Sequence, residues 1–315
     1  MMYICKMFNK KYSLYIVGLI LLFSFTNCKS KFEKLRNSNN LAMKYQEAVK
    51  FYENGKYSKA RTLFDDLMVS YRGRSEAEDL YYYTAYTNYR MKDYISARHH
   101  FKSFAQTFPN SPRAEECRFM TAYCYYLESP RSSLDQDNTR RAIDELQLFV
   151  NIYPESERAD EASDLIQDLR EKLEKKAFDN AKLYYDMGMP GDYKAAVIAL
   201  ENVLRQYPDT RFAEEIEYLI VKAQYLYADN SIPIRQEERF NEALDYYDMF
   251  AESYASSQYM KELNDLRSKS ERKIAAVVKQ IEESKRLQEE RNRELGIEES
   301  EVENAEFEQT EGSSI

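Results

Sequence analysis

Apolar and aromatic residues recur along this chain with the spacing of one helix face, at i, i+3 or i+4, and i+7. A strand would require strict alternation instead, so each run predicts a helix. Five such runs occur, and they are phased with one another, so we predict an all-α helical solenoid built from helix pairs. The runs are Tyr57, Ala60, Phe64, Leu67, Tyr71; Tyr94, Ala97, Phe101, Phe104, Phe108; Ala142, Leu146, Phe149, Tyr153; Tyr193, Ala196, Leu200, Val203, Tyr207; and Phe240, Ala243, Tyr247, Phe250, Tyr254.

A partner helix precedes each run, and its small residues predict how closely the two helices pack. Ala48 and Ala85 stand twelve residues before Ala60 and Ala97, respectively. Small side chains at both places allow a close approach, and the neighbouring rings fill the remaining space. This arrangement resembles the 34-residue tetratricopeptide (TPR) repeat. A non-repeating helical bundle is the alternative, which five phased copies disfavour.

The repeats and their interruptions divide the chain. Residues 41–273 are expected to hold five TPR-like repeats, 274–295 a charged helical extension, and 296–315 an acidic disordered tail. Polar residues predict an inserted loop from Ser129 to Asn138, a short turn from Met187 to Gly191 and a longer loop from Asp229 to Glu238. Residues 282–315 carry 12 acidic and 4 basic side chains, and past Gly296 the composition is too polar to form a core.

Composition argues against several classes of function. With 7 Gly in 315 residues there is no glycine-rich phosphate loop, and His99 and His100, the two histidines, are adjacent and point to different helix faces. We therefore expect no cofactor, no metal site, no small-molecule substrate and no enzymatic activity. A net charge of -9 argues against a nucleic-acid partner, which would require a basic surface.

The amino terminus predicts export. Three lysines precede an apolar run, Leu14 to Phe25, and Cys28 follows three residues after it. This arrangement resembles a bacterial lipoprotein signal. Residues 1–27 would then be the signal peptide, Cys28 the lipidated residue, and residues 28–40 a lipidated leash that tethers the repeats to a membrane. An ordinary cleaved signal peptide is the alternative.

Two further cysteines, Cys117 and Cys124, lie seven residues apart on one predicted helix. That separation is about 10 Å along the helix axis, which exceeds the reach of a disulfide. We expect both to be buried, free thiols in the core of the third repeat.

The anchor, the order and number of the repeats, and the helix ends together resemble one family. The blocks Thr107-Phe108-Pro109-Asn110-Ser111-Pro112 and Gln206-Tyr207-Pro208-Asp209-Thr210 are similar to helix ends of the BamD family of outer-membrane lipoproteins, and the resemblance covers about residues 28–275. It implies a non-catalytic protein on the periplasmic face of the outer membrane. It also implies binding to the POTRA region of a BamA-like barrel protein and to unfolded outer-membrane proteins. The acidic extension after Ile281 is not part of this family pattern.

The TPR resemblance also predicts a binding surface. Three positions of the first helix in each repeat line the inner face of such arrays, and eight of the nine in the first three repeats are aromatic. They are Tyr45, Val49, Tyr52, Tyr82, Tyr86, Tyr89, Phe119, Tyr123 and Tyr126. Rings with hydroxyl rims could hold an extended peptide by packing and hydrogen bonding. The alternative is that the rings only pack neighbouring helices.

The family resemblance associates the amino-terminal repeats with substrate recognition and the carboxyl-terminal repeats with BamA contact. By location alone, the candidates for that contact are Tyr193, Tyr207, Arg211 and Tyr225. A lipid-anchored TPR scaffold of another cell-envelope complex shares all these features except the partner, and it remains open as the alternative.

Overall fold

The computed structural model describes residues 31–71, 73–74 and 77–294 of the chain. These residues form helices and no strand. The helices are α1 Lys31–Arg36, α2 Leu41–Glu53, α3 Tyr57–Tyr71, α4 Ala77–Arg90, α5 Tyr94–Thr107, α6 Ala114–Glu128, α7 Asp137–Ile152, α8 Ala159–Met187, α9 Pro190–Gln206, α10 Ala213–Asp229, α11 Pro233–Ser253 and α12 Met260–Glu294. Consecutive helices pack in pairs, which confirms the prediction of an all-α, TPR-like fold.

The chain divides into two compact units. Among the described residues, unit 1 comprises 31–71, 73–74, 77–130 and 135–169, and unit 2 comprises 131–134 and 170–294. Unit 1 contains the pairs α2/α3, α4/α5 and α6/α7. Unit 2 contains the pair formed by the second half of α8 with α9, the pair α10/α11, and α12.

Buried alanines mark where the paired helices of unit 1 meet. Ala48 on α2 and Ala60 on α3 have no exposed surface, and the same is true of Ala85 on α4 and Ala97 on α5. Small side chains at these points leave room for large rings to pack beside them in the core. The fully buried rings nearest in the core of unit 1 are Phe64, Phe101, Phe104, Phe119 and Phe149.

The turns inside the first two repeats require a left-handed backbone. Gly55, between α2 and α3, has φ of 70°, and Lys92, between α4 and α5, has φ of 62°. Glycine adopts this conformation without a steric cost. Lysine adopts it with some steric strain, because the geometry of the turn requires it. Asp93 then caps α5, because its carboxylate accepts a hydrogen bond from the Ser96 amide at 3.1 Å.

A second kind of turn connects each repeat to the next. An aromatic residue ends the helix, and three residues later a Ser or Thr hydroxyl accepts a hydrogen bond from an amide two positions further on. The four hydroxyls are those of Ser111, Ser156, Thr210 and Ser257. Ser111 also donates to Glu78 at 2.5 Å, and Ser156 donates to Glu115 at 2.5 Å. Each of these bonds links a turn to the first helix of the preceding repeat, so it fixes the register between neighbouring repeats.

Some predicted boundaries were wrong. The segment from Asp229 to Glu238 was expected to be a loop, but α11 begins at Pro233 and only residues 230–232 lie between the helices. Proline at the first helical position has a suitable fixed φ and lacks an amide that would be unpaired there, so this residue starts a helix. The inserted loop of the third repeat is present, and α7 begins at Asp137.

The two ends of the chain agree only partly with the expected segments. Residues 31–36 of the expected leash form α1, and the expected charged helix is the end of the continuous helix α12. The expected signal peptide, Cys28 and the acidic tail lie outside the described residues.

Cys117 and Cys124 are both free and buried in the core of unit 1. Burial raises the pKa of each thiol to about 12, with a further contribution from Glu116 at Cys117 and from Glu128 at Cys124.

A thiol reagent should therefore modify neither Cys117 nor Cys124 at pH 8 in the folded protein, because the reactive thiolate is both rare and shielded. Both should react at once after unfolding in guanidinium chloride. Rapid modification of the native protein, measured by mass spectrometry, would contradict this burial.

Candidate functional site

The aromatic residues that the sequence singled out lie on α2, α4 and α6, the first helices of the three pairs of unit 1, and we call the surface that they form the inner face. Of these, Tyr45, Tyr52, Tyr82, Tyr86, Tyr89, Tyr123 and Tyr126 are half-buried, as is Val49. Half-burial means that part of each side chain packs on the protein while part of it remains exposed. The rings also contact one another: those of Tyr82 and Tyr86 lie 4.8 Å apart, and those of Tyr123 and Tyr126 are stacked at 5.8 Å.

Phe119 is the exception. Its side chain is 1 % exposed, because it stacks under Tyr123 at 5.8 Å and meets Phe149 edge-on at 5.4 Å. The Arg158 guanidinium lies 4.7 Å from the centre of its ring. Phe119 is thus a core residue that supports the surface rings, and its prediction as a surface of the groove is corrected here.

Glu116 on α6 organises the centre of this face. The Tyr82 hydroxyl donates a hydrogen bond to one carboxylate oxygen of Glu116 at 3.0 Å, and the Tyr86 hydroxyl donates to the other. Burial raises the pKa of Tyr82 to about 12, with a further contribution from Glu116, and it raises the pKa of Tyr86 for the same reasons. Both phenols are therefore neutral donors at physiological pH, and the carboxylate holds their rings in fixed orientations.

Arg113 forms the polar border of the same surface. Its guanidinium lies 4.5 Å from the centre of the Tyr82 ring and pairs with Asp79 at 2.5 Å. Beside it is an open depression of about 460 Å³ whose lining residues are Tyr45, Gln46, Val49, Lys50, Asp79, Tyr83 and Arg113. The depression thus combines aromatic surface with both signs of charge.

The first repeat contributes two tyrosines that are held by other rings. Tyr45 stacks on Tyr71 at 6.1 Å, and burial raises the pKa of its phenol to about 12, with a further contribution from Asp79. Tyr52 meets the Tyr83 ring edge-on at 5.3 Å. Burial raises the pKa of Tyr52, and a hydrogen bond with Arg90 offsets part of this rise.

Tyr89 and Tyr126 complete the face. Tyr89 packs on Tyr94 and Phe101, at 5.8 and 6.5 Å between ring centres. Tyr126 interacts with Asp168 through its hydroxyl, and burial raises its pKa, with a further contribution from that hydrogen bond. The aromatic rings of all three repeats therefore have fixed supports.

Sequence reasoning missed Glu116, Arg113 and Asp79, although a signal for them exists. Tyr82 and Glu116 are 34 residues apart, and so are Asp79 and Arg113. Equivalent positions in the first helices of unit 1, such as Ala48 and Ala85, are 37 residues apart. The second member of each pair therefore lies about one helical turn before the place equivalent to the first. Complementary polar residues at this separation predict a contact between neighbouring repeats.

The four candidates in unit 2 have separate surroundings. Tyr193 lies 6.2 Å from Tyr185, and Tyr225 lies 5.6 Å from Phe240, measured between ring centres. Tyr207 is the cap of α9, and its amide donates to the Val203 carbonyl. Arg211 is exposed and pairs with Glu171 at 2.9 Å. The contacts of these side chains therefore do not define one site.

A polar cluster in unit 2 was also missed. The Tyr218 hydroxyl donates to Glu262 at 2.6 Å and accepts a hydrogen bond from the Lys222 ammonium at 2.9 Å, and its ring stacks on Tyr259 at 4.0 Å. Lys222 also pairs with Glu262 at 2.9 Å. Hydrogen bonds with Tyr218 and Lys222 lower the pKa of Glu262, so the carboxylate is charged. This cluster holds α10 against α12.

The described residues contain neither a candidate metal site nor a candidate membrane-spanning helix. No group of three or more His, Cys, Asp or Glu side chains there is placed to hold a metal ion. None of the described helices has the length and apolarity needed to cross a membrane.

The fold and this face define a TPR-like helical repeat protein with an aromatic inner surface in its first unit. Comparison with known proteins identifies the family more closely. The model of the YfiO family, described as outer membrane lipoprotein, matches residues 36–228, and the chain belongs to this family, which includes BamD proteins.

Two curated relatives carry the BamD name. The outer membrane protein assembly factor BamD of Caulobacter vibrioides is 21% identical over 242 residues, which are 76% of this chain and 77% of the relative. The putative outer membrane protein assembly factor BamD of Aquifex aeolicus is 23% identical over 209 residues, which are 66% of each chain.

Replacing Glu116 by Gln tests the centre of the inner face. We expect a loss of about 1–2 kcal/mol in the free energy of unfolding, because two hydrogen bonds to a charged acceptor are weakened. The variant should also lower the pKa of Tyr82 from about 12, since the carboxylate raises it. Denaturant unfolding and ultraviolet titration of the phenols measure the two effects.

The exposed Glu161 provides a matched control, and Glu161→Gln should change neither quantity. In the wild-type protein the raised Tyr82 pKa stabilises the fold fully below pH 10, the ordinary pKa of tyrosine, and this stabilisation is lost as the pH rises toward 12. A Glu116→Gln variant as stable as the wild type would contradict the described role of the carboxylate.

Proposed function

We propose that this protein is a non-catalytic lipoprotein of the β-barrel assembly machinery of the outer membrane. In this proposal Cys28 carries the lipid anchor and the domain lies on the periplasmic face. The inner face of unit 1 binds segments of unfolded outer-membrane proteins. Repeats four and five bind the POTRA region of a BamA-like barrel protein. Membership of an outer membrane lipoprotein family and the names of the two BamD relatives support a role in outer-membrane protein assembly.

One observation carries the peptide-binding part: the seven half-buried tyrosines of the inner face are held by neighbouring side chains while part of each ring remains exposed. Fixed rings offer a large contact area and lose little conformational entropy on binding. An extended peptide would place alternate side chains between the rings, and its backbone groups would meet the phenol hydroxyls and Arg113. Segments that later become strands of a barrel, rich in aromatic and β-branched residues, match such a surface.

The charges on the inner face restrict the ligand further. Glu116 is already bonded to two phenols and Arg113 to Asp79, so neither demands a charged partner. Ring contacts would therefore supply most of the affinity. A surface of this kind suits many different unfolded sequences that share an aromatic pattern.

A crossed experiment tests the two proposed surfaces together. The first variant replaces Tyr82, Tyr86 and Tyr123 by Ala in unit 1, and the second replaces Tyr193, Arg211 and Tyr225 by Ala in unit 2. The ligands are a synthetic peptide with the sequence of the final strand of an outer-membrane barrel protein, and the isolated POTRA region of the barrel subunit.

We expect the unit 1 variant to lose at least about tenfold in peptide affinity, because rings buried in an interface commonly contribute 1–2 kcal/mol each. It should bind the POTRA region as the wild type does, and the unit 2 variant should show the reverse. Each variant thus serves as the control for the other. A third variant, Tyr82→Phe with Tyr86→Phe, keeps the rings and should retain most of the peptide affinity. Unchanged peptide affinity in a folded unit 1 variant would refute the inner-face assignment.

The alternative is a lipid-anchored TPR scaffold of another cell-envelope complex, which differs only in its partner. Co-purification from native envelopes in mild detergent, with a tag after residue 315, separates the two. We expect a POTRA-bearing barrel protein in near-stoichiometric amount. A different envelope complex in its place would support the alternative, and the TPR-like fold would be unaffected.

A further inference from the structure

Helix α1 ties the chain that precedes the repeats to one edge of unit 1. The Phe32 ring meets the Phe51 ring edge-on at 5.8 Å, and the Lys59 ammonium lies 5.6 Å from the centre of each ring. Further along the helix, Arg36 pairs with Asp66 at 3.3 Å. The start of α1 thus packs beside the turn between α2 and α3, and its end packs halfway along α3.

This packing places the proposed lipid anchor near that turn. Only three peptide steps separate Cys28 from Lys31, and such a stretch spans at most about 11 Å. The α2/α3 turn of the first repeat is therefore confined to the vicinity of the membrane surface if Cys28 is lipidated. This step rests on the anchor that the proposed function assigns.

The same edge of unit 1 is basic. We define the basic edge as residues 31–34 of α1, the α2/α3 turn and the α4/α5 turn, and its basic residues are Lys31, Lys34, Lys50, Lys56, Lys59, Arg90 and Lys92. The acidic side chains there are Glu33, Glu53, Asp93, which pairs with Arg61, and Glu47, which pairs with Lys50. The excess of positive charge contrasts with the whole-chain net charge of -9.

The opposite edge of unit 1, formed by the turns that connect one repeat to the next, has the opposite sign. Apart from the paired charges of the inner face, its described acidic residues are Glu78, Glu115, Glu155 and Glu157, and its basic residues are Arg74 and Arg158. The two edges are separated by the length of one helix, about 20 Å for the 14 residues of α5. The excess of positive charge and the position of α1, which precedes the repeats, are therefore found at the same edge of unit 1.

We propose that the basic edge of unit 1 lies against an anionic lipid surface, with lysine ammonium groups on lipid phosphates. An anionic surface attracts clustered Lys and Arg side chains within about one Debye length, and the anchor holds the edge within that range. The acidic edge then faces away from the membrane. Unit 1 is in this way oriented by two attachments, the lipid and the basic edge, rather than hanging from a free tether.

The test uses the fact that the chain contains no Trp, so that one introduced Trp reports on one place. Ser58→Trp puts the probe on the basic edge, and Asn110→Trp puts it on the acidic edge; both positions are exposed. The lipidated full-length chain is reconstituted into vesicles of phosphatidylethanolamine and phosphatidylglycerol that contain a headgroup-linked fluorescence quencher. We expect strong quenching at position 58 and little at position 110.

Charge variants test the cause of the contact. Lys31→Glu, Lys34→Glu and Lys56→Glu together should reduce quenching at position 58 to the level at position 110, since each lysine near an anionic surface shifts the docking equilibrium about fivefold. The control carries the same charge change in unit 2, at Lys194, Lys261 and Lys279, and should quench as the parent does. Vesicles of pure phosphatidylcholine, or salt of about 1 M, should reduce quenching at position 58 as the basic-edge variant does.

Failure of this inference is distinguishable from failure of the anchor. Mass spectrometry first shows whether Cys28 carries lipid. A chain without lipid at Cys28 would refute both the anchor and the edge contact. A lipidated chain with equal quenching at positions 58 and 110, or with quenching at 58 that survives charge reversal and high salt, overturns the edge contact alone. Amide hydrogen exchange of the lipidated chain provides a check without substitutions. On binding anionic vesicles, exchange at residues 53–59 should slow more than exchange at residues 108–113.

Discussion

The close contact between paired helices at alanine positions is the constraint on which the rest of the structure depends. Ala48, Ala60, Ala85 and Ala97 are all fully buried. A larger side chain at any of these places would separate the helices, because the packed core cannot absorb extra volume. With the backbones fixed so close together, the phenylalanines fill the flanking space and the tyrosines are displaced to the surface. The aromatic inner face is therefore a consequence of how tightly each repeat is closed.

The turns between repeats convert this local packing into a site. Ser111 binds Glu78 and Ser156 binds Glu115, and each bond holds a new repeat in register with the first helix of the repeat before it. Only with that register does Glu116 reach both Tyr82 and Tyr86, and only then does Arg113 reach Asp79. Hydroxyls in the turns thus determine which polar residues share the inner face. The same hydroxyl-capped turn recurs at Thr210 and Ser257 in unit 2.

Unit 1 has different chemistry on its inner face and on its two edges. The inner face is aromatic with internally paired charges, one edge is basic and the other is acidic. These surfaces lie on the same short helices, so one orientation of the unit fixes the direction in which all of them point. An anchored protein with such a distribution can hold an aromatic surface at a defined place relative to a membrane. A free tether would leave that surface pointing in every direction.

The sequence by itself determined the helices, their pairing, and the burial of residues such as Ala85, Phe101 and Cys117, because helix periodicity and side-chain size are local properties. It also singled out seven tyrosines for an inner binding face, and these are half-buried in the structure. It misplaced Phe119, and it predicted a loop where Pro233 starts α11. Only the tertiary structure decided that Glu116 joins two tyrosines and that α1 packs on Phe51, since those contacts depend on the register between elements distant in the chain. A repeat pattern fixes which residues face inward, but the packing distances between repeats select the partners that meet.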